Sequence, residues 1–514
     1  MDGAGTQAMN IGRREWLLGA GAAGAGLLLR APSAQGQVIE TSRDRVITGL
    51  DVKLPYLGSV RARSTAEITG SNWLLGCETL DRDFADYDQY KAFIAPLGIK
   101  RLRMQAGWAK TEKVRGTYDF AWLDHIVSDA TARGFQPWLQ TSYGNPEYPG
   151  GGGANLGAGL PKSAEALAAY DRWVTALVTR YATKVFDWEV WNEPNFGDNS
   201  INSAEETADF NVRTAAIIKR IQPTARISGL ALGHVAQPFV DRFFKRLAER
   251  RGFGLFANMT YHDYAYNPDA NRHEVAQLRA ALDRYAPGMP LRQGENGAPS
   301  VGASGGALWD YPWTELTQAK WNTRRMLGDL GLDIESSIFG IAEMNYGATG
   351  PIARKNYKGL LKVDADNRVV RPKASYYAVQ NVAAIFDDRL ERIRALKHSH
   401  NAMSAGPDEA SFALSTDRRT AFFGYRAKAT GKHLYAVWLT ENIPADSNEL
   451  RVQEVTIAGA EIDQPVWVDI VTGAVHEIPA AQVRRAGRVL RLSGVPIYDS
   501  PIVIADRSLI GLAQ

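Results

Sequence analysis

From about Trp73 to Asp387, short apolar runs alternate with longer stretches of helical periodicity, which predicts strands separated by crossover helices. The predicted strands lie near Trp73–Cys77, Lys100–Gln105, Gln136–Thr141, Phe186–Trp191, Arg226–Ala231, Ala257–Tyr261, Leu291–Gly294 and Ile338–Ala342. Between them, Lys162–Tyr181, Ala204–Ile221, Val240–Arg250 and His273–Tyr285 are long enough for helices. Eight such strands over 71–387 satisfy a closed parallel (β/α)8 barrel, the TIM-barrel α/β class. An open doubly wound sheet shows the same alternation, and periodicity does not separate the two. Past Asp387 the pattern turns to period two, in Thr420–Arg426, Lys432–Leu439, Arg451–Ile457, Val466–Ile470 and Arg488–Leu492. Turn signals at Ala429–Gly431, Pro444–Asp446 and Thr472-Gly473 separate these runs, so 388–514 reads as an antiparallel β-sandwich. Residues 37–70 also contain strand-like runs, Arg45–Leu50 and Val60–Ile68, and are expected to join that sandwich.

Composition narrows the class. Of 514 residues, 45% are hydrophobic and 22% charged, the balance of a soluble chain with a sizeable core. The net charge is +3, so nothing electrostatic points to nucleic acid or an anionic membrane as partner. Cys77 is the single cysteine, which rules out an intrachain disulfide and a cysteine-based zinc site. Oligomeric state stays open.

Near the N-terminus, Arg13-Arg14 directly precedes an apolar run from Trp16 to Leu29, and Ala31-Pro32-Ser33-Ala34 offers small residues for a peptidase. This predicts a twin-arginine export signal over 1–36 and a periplasmic or secreted product. The run is shorter than the about 20 residues a bilayer span needs, so no stable membrane insertion is expected after removal. Within it, Gly19-Ala20-Gly21-Ala22-Ala23-Gly24 matches a dinucleotide fingerprint only formally, because no strand precedes it.

Chemistry concentrates at Asp187-Trp188-Glu189-Val190-Trp191-Asn192-Glu193-Pro194-Asn195. Pro194 disfavours the helical region for Glu193 and stops the strand, leaving a carboxylate at its C-terminal edge. In a parallel barrel that edge is the catalytic face. For a single strand-end Glu, pairing with an Arg or Lys is the competing reading.

The Trp-Asn-Glu-Pro-Asn ending of the fourth strand resembles the acid/base motif of clan A glycoside hydrolases, and is most similar to family 39. That resemblance implies a retaining glycosidase acting on β-type bonds of oligo- or polysaccharides, with a second Glu at the end of strand seven as nucleophile. Pro290-Leu291-Arg292-Gln293-Gly294-Glu295-Asn296-Gly297 supplies Glu295 there, and Glu343, near the predicted end of strand eight, is the fallback. Glu193 must be protonated to expel the leaving oxygen, and Glu295 must be ionised to attack. The mechanism requires neither metal nor cofactor. An endo-acting glycanase, a transglycosylase and a non-catalytic carbohydrate-binding barrel remain alternatives on the same residues.

The resemblance also implies that Asn192 bonds the sugar hydroxyl beside the anomeric carbon. Strict alternation points Asn192 and Glu193 to opposite faces, so this role needs an irregular strand end. His262 or Tyr264, after strand six, is expected to hold Glu295, with a core ring as the equal alternative. Arg103, inside strand two, is similar to the clan arginine that keeps the nucleophile ionised; a structural salt bridge is the competing reading. Trp108, Trp138, Tyr143, Asn145, Trp309 and Asn345 lie at or beyond strand ends, placed to line sugar subsites or simply to pack. The stretches Lys355–Gly359 and Arg371–Tyr377 resemble the family segment after strand eight. Gly76–Leu80 and Ser142–Pro146 depart from the usual family loops, which leaves the sugar open. No His-Glu-x-x-His, phosphate-loop or Gly-x-Ser-x-Gly motif is present, and His398 and His400 have no acidic companions at metal spacing.

Overall fold

The computed structural model describes residues 50–196, 201–347, 354–394, 396–400, 406–407 and 420–513, all within one compact unit, Ile39–Gln514. The predicted export signal and nearly all of the predicted strand Arg45–Leu50 lie outside the described residues.

Eight parallel strands close into a barrel: β1 (Trp73–Gly76), β2 (Arg101–Gln105), β3 (Gln136–Gln140), β4 (Asp187–Glu189), β5 (Arg226–Leu232), β6 (Asn258–Tyr261), β7 (Leu291–Asn296) and β8 (Glu335–Ile338). The ring closes where Trp73 pairs with Ser336 and Leu75 with Ile338. The open-sheet alternative is thereby removed.

Some crossover helices start where a side chain satisfies their free N–H groups. Ser163 caps Ala164–Tyr181, and Ser203 with Glu206 forms a reciprocal capping box on Ala204–Ile221. Each helix buries an apolar stripe on the barrel; Gln237–Glu249, for instance, buries Phe239, Val240, Phe243, Phe244 and Leu247.

The barrel interior is layered with charge. At one level Glu335 pairs with Arg101 and Arg292. The Trp138 ring lies between Arg292, 4.8 Å from its centroid, and Arg103, at 5.4 Å. Trp138 is fully buried, so it belongs to the barrel core and lines no subsite.

Two predicted strands are misplaced. The eighth strand is Glu335–Ile338, not Ile338–Ala342. Its Ser336 and Ser337 are buried, Ser336 donating to Asp329 at 2.7 Å and Asn296 donating to the Ser337 carbonyl at 2.7 Å. A strand of polar residues carries no apolar signal, whereas the run after it does. Val60–Ile68 forms no strand; the Glu67 carboxylate accepts the Ser64 N–H at 2.9 Å and folds this stretch into a turn. The strand lies earlier, at Tyr56–Ser59.

Beyond the last barrel helix, Ala374–Ile385, two antiparallel sheets make up the β-sandwich. In the larger sheet, Tyr56–Ser59 pairs with Ala474–Glu477, so the N-terminal segment and the C-terminal sandwich share one sheet. Buried polar contacts tie barrel to sandwich. Lys320, on helix Glu315–Gly331, reaches Asp499 at 2.6 Å and the Ala445 carbonyl at 2.9 Å. Asp269, after β6, accepts from Trp438 of the sandwich at 3.1 Å.

Candidate active site

The chain leaves β4 irregularly. Trp191 and Glu193 adopt left-handed backbone conformations, with φ of 65° and 48°, which breaks the alternation of a regular strand. Asn192 and Glu193 consequently both reach groups at the barrel mouth. The Glu193 N–H is anchored to the Ala231 carbonyl at 2.8 Å, and Gly233 leaves the room its side chain occupies: a Cβ there would come within 3.1 Å of the carboxyl carbon.

His262, directly after β6, meets Glu193, its Nδ1 lying 2.7 Å from Oε1. The same nitrogen is 3.6 Å from Glu295 Oε2. Arg103 Nη2 contacts His262 Nε2 at 3.1 Å. A guanidinium has no acceptor, so Nε2 is the bare nitrogen and Nδ1 carries the hydrogen donated to Glu193. Of the two residues expected to hold Glu295, Tyr264 is the one that does, donating to Oε1 at 2.7 Å. His262 serves Glu193 instead, because its ring is turned by Arg103.

Arg103 is the hub. Its Nε donates to Glu189 at 2.8 Å, Nη1 to Glu78 and Glu295 at 2.9 Å each, and Nη2 to Asn192 at 2.8 Å as well as to His262. All five guanidinium N–H groups therefore have acceptors. Asn192 also accepts from Gln140 at 3.1 Å and donates to the Tyr143 hydroxyl at 2.7 Å.

Burial works to protonate Glu295, but the N–H edge of His262, the charge of Arg103 and the hydrogen bonds from Tyr264 and Arg103 outweigh it. Its carboxyl is held below the ordinary range and stays ionised. Burial, then the charges of Glu295 and Glu193, push the Tyr264 phenol well up, so it remains a donor. Lys358, from the segment after β8, is buried and donates to the Ala307 carbonyl at 2.9 Å, with its ammonium 5.3 Å from the Tyr264 ring centroid. Burial lowers it to about 8 against the opposing pull of Glu295 and Glu193.

An oxygen of Glu193, an oxygen of Glu295 and a ring nitrogen of His262 lie within 4.8 Å of one another. These donor types also suit a divalent metal, but Arg103 places a fixed positive charge against two of the three. The arrangement is suited to proton transfer and nucleophilic attack at one point in space.

Other predicted residues lie elsewhere. Trp108 is fully buried, bonded to Glu112 and stacked on Tyr148 and Trp173 at 5.5 and 6.0 Å. It opens a short helix and packs beneath the rim. Asn145 braces its own loop, donating to the Glu112 carbonyl at 2.8 Å and accepting from the Glu147 N–H at 3.0 Å. Asn345 is committed to the Asp364 carbonyl and Asn367, both at 2.8 Å. Glu343, the fallback nucleophile, is buried between Lys355 at 2.9 Å and Lys373 at 3.0 Å, held in an internal cluster of ion pairs. Trp309 remains exposed.

Sequence reasoning missed Glu78, Gln140, Glu189 and Lys358. Glu189 had a signal: a carboxylate inside the same apolar run that ends at Glu193, matching the charge of Arg103 inside β2. Glu78 had none beyond its position after β1.

No protein-family model and no curated protein matches the chain. Among solved structures, a family 39 glycoside hydrolase from Bacteroides cellulosilyticus WH2 is similar at 16% identity and a TM-score of 0.59, over 85% of this chain and 81% of that one. A monomeric β-xylosidase from Caulobacter crescentus CB15 is similar at 17% identity and a TM-score of 0.53, over 89% and 98%. A family 30 endoxylanase from Clostridium papyrosolvens C71 is similar at 10% identity and a TM-score of 0.54, over 88% and 98%. The likeness is one of fold: this chain shares the barrel-and-sandwich architecture of clan A glycoside hydrolases from families 39 and 30.

Proposed function

We propose that the protein is a retaining glycoside hydrolase that cleaves β-type glycosidic bonds by double displacement, with Glu193 as acid/base and Glu295 as nucleophile. One observation carries this: the two carboxyl groups approach within 4.8 Å of each other. Retaining pairs stand about 5–5.5 Å apart, whereas inverting pairs leave about 6.5–9.5 Å for a water. The unequal surroundings support the division of roles, since His262, Arg103 and Tyr264 keep Glu295 anionic, while among the described residues the Glu193 carboxyl accepts from His262 alone.

In the first step Glu193 gives its proton to the leaving oxygen while Glu295 attacks the anomeric carbon, forming a glycosyl ester. In the second, Glu193 takes a proton from water, which displaces Glu295 with a second inversion. His262 orients Glu193, and Asn192, held by Arg103 and Gln140, is positioned toward the neighbouring sugar hydroxyl. The β-xylosidase and the endoxylanase among the fold relatives make a β-xyloside the first substrate to try, with galactosides and arabinosides next, acted on in the exo mode. The twin arginine and apolar run at Arg13–Leu29 support export to the periplasm or beyond.

The test is a panel of aryl β-glycosides against wild type, Glu193→Ala and Glu295→Ala. Wild type is expected to release the sugar with its configuration retained, and Glu295→Ala to be inactive. Glu193→Ala should keep activity on a dinitrophenyl glycoside, which needs no protonation, and yield a β-glycosyl azide when azide is added. An azide product of the opposite anomer in Glu193→Ala would exchange the roles. No turnover of any sugar by wild type would defeat the proposal.

A further inference from the structure

We infer that Glu78, a third carboxyl at the barrel mouth, holds a proton in the working protein and is a positioning residue that keeps Arg103 available to Glu295. This rests on the roles just proposed for Glu193 and Glu295. The argument begins with charge. A single guanidinium, Arg103, faces three carboxyl groups: Glu189 at 2.8 Å, and Glu78 and Glu295 at 2.9 Å, the last two through the same nitrogen. One cation cannot neutralise three buried anions, so the group with the poorest solvation carries a proton.

Hydrogen bonding identifies that group. Glu189 accepts from Arg103, from Gln140 at 2.7 Å and from the Thr260 hydroxyl. Glu295 accepts from Arg103 and Tyr264, and its side chain is 12% exposed and open to water. Glu78 takes one hydrogen from Arg103 on Oε1, and its Oε2 has no partner among the described residues. That oxygen faces a narrow space with no room for water, lined by Cys77, Ala85, Ile341, Ala342 and Met344. Gly76 must lack a side chain for it to fit, since a Cβ would fall 2.3 Å from Oε2. A bare carboxylate oxygen in such a space is costly, and a neutral acid much less so.

The charged and titratable groups around it act in both directions. Burial is the largest influence and raises Glu78 to about 7, with Arg103 lowering it and Glu295 raising it. Cys77 and Tyr90, against the same space, are both pushed up by burial and stay neutral. Tyr264 and Tyr346, which feel the Glu78 charge from above, are likewise raised.

Protonated, Glu78 is a neutral acceptor that steadies Nη1 without drawing its charge from Glu295. Ionised, it becomes a deeper anion than Glu295 with no water to turn to. Arg103 then settles toward Glu78, and the nucleophile, which has solvent as an alternative, loses its anchor. The role requires nothing beyond loss of a proton to solvent as pH rises.

Two measurements on the full chain decide this. In the first, infrared difference spectra follow protonated carboxyl groups through a pH titration of wild type, Glu78→Gln and Glu295→Gln. A buried acid titrating near neutrality should be lost in Glu78→Gln and should titrate at lower pH in Glu295→Gln, where the neighbouring charge is gone. Absence of that acid in wild type, or its indifference to Glu295→Gln, overturns the inference. This arm needs no turnover, so it stands even if the proposed function fails, and the Glu295→Gln comparison stands even if Glu78→Gln does not fold. In the second, kcat/KM on a dinitrophenyl β-xyloside, insensitive to the proton of Glu193, is measured against pH. Wild type should fall by about tenfold per pH unit above the Glu78 titration, and Glu78→Gln should not. A variant profile parallel to wild type at reduced height would make Glu78 merely structural.

Discussion

Tyr264 is where one hydrogen atom bears most directly on reactivity. Its hydroxyl, with Arg103, is one of two side-chain donors to the Glu295 carboxyl among the described residues, 2.7 Å from Oε1, and burial ensures that it keeps its proton. A hydrogen bond to a charged acceptor contributes about 1.5–3 kcal/mol. Tyr264→Phe is therefore expected to lower kcat/KM by about 10- to 100-fold. The pH dependence has a definite sign. In the proposed mechanism Glu295 works ionised, and its carboxyl is held below the ordinary range, so activity is expected above its pKa and lost as pH falls through it. Removing a donor raises that pKa, and the acidic limb of kcat/KM should move to higher pH. Equal loss at every pH, with the limb unmoved, would show that Tyr264 does not tune Glu295. His262 differs in kind: its N–H goes to Glu193, so its removal should act on leaving-group protonation.

Elements decide which of these residues meet, and here the reach of sequence reading is visible. The end of β4 was legible because Pro194 marks it, and Arg103 stood out as a charge inside an apolar strand. The positive φ of Trp191 and Glu193 was implied only by the conflict between alternation and function. Glu78 was not legible, because its neighbour Glu295 lies more than two hundred residues away and they meet only once β8 closes the ring onto β1. For Trp108 and Asn145 the choice between subsite and packing stayed open for a related reason: a place beyond a strand end does not say whether a side chain points into the mouth or under the rim. Gly233, just after β5, tests how closely one element fits another. A methyl group there would lie 3.1–3.2 Å from the Glu193 carboxyl, Cγ and Cβ atoms, and the side chain must give way. Gly233→Ala is expected to cost about 10- to 100-fold on glycosides with poor leaving groups, while dinitrophenyl glycosides are spared. Equal loss on both would mean the disturbance reaches beyond the acid.

At the scale of the whole molecule, the question is whether barrel and sandwich are stabilised separately or as one. The helix Glu315–Gly331, which leads into β8, sends Lys320 into the sandwich. There its ammonium is buried and meets Asp499 at 2.6 Å, the Ala445 carbonyl at 2.9 Å and the Ser447 carbonyl. Arg324, one turn on, holds Asp269 and the Asn442 carbonyl, and Asp269 in turn accepts from Trp438. Asp269 follows β6 by eight residues, and the same loop carries His262 and Tyr264. The sandwich therefore grips the two segments that flank β7 and its Glu295. Lys320→Met keeps most of the length of the side chain but takes the ammonium donor away from Asp499 Oδ1 and two carbonyl oxygens. Breaking a buried pair on one side costs about 3–5 kcal/mol. Because the ties run through the helix and loop that frame the site, that loss should appear as one unfolding transition moved to lower temperature, with activity and both kinds of secondary structure disappearing together. Two resolved transitions, the sandwich melting first while turnover persists, would show that the barrel holds its mouth in shape unaided.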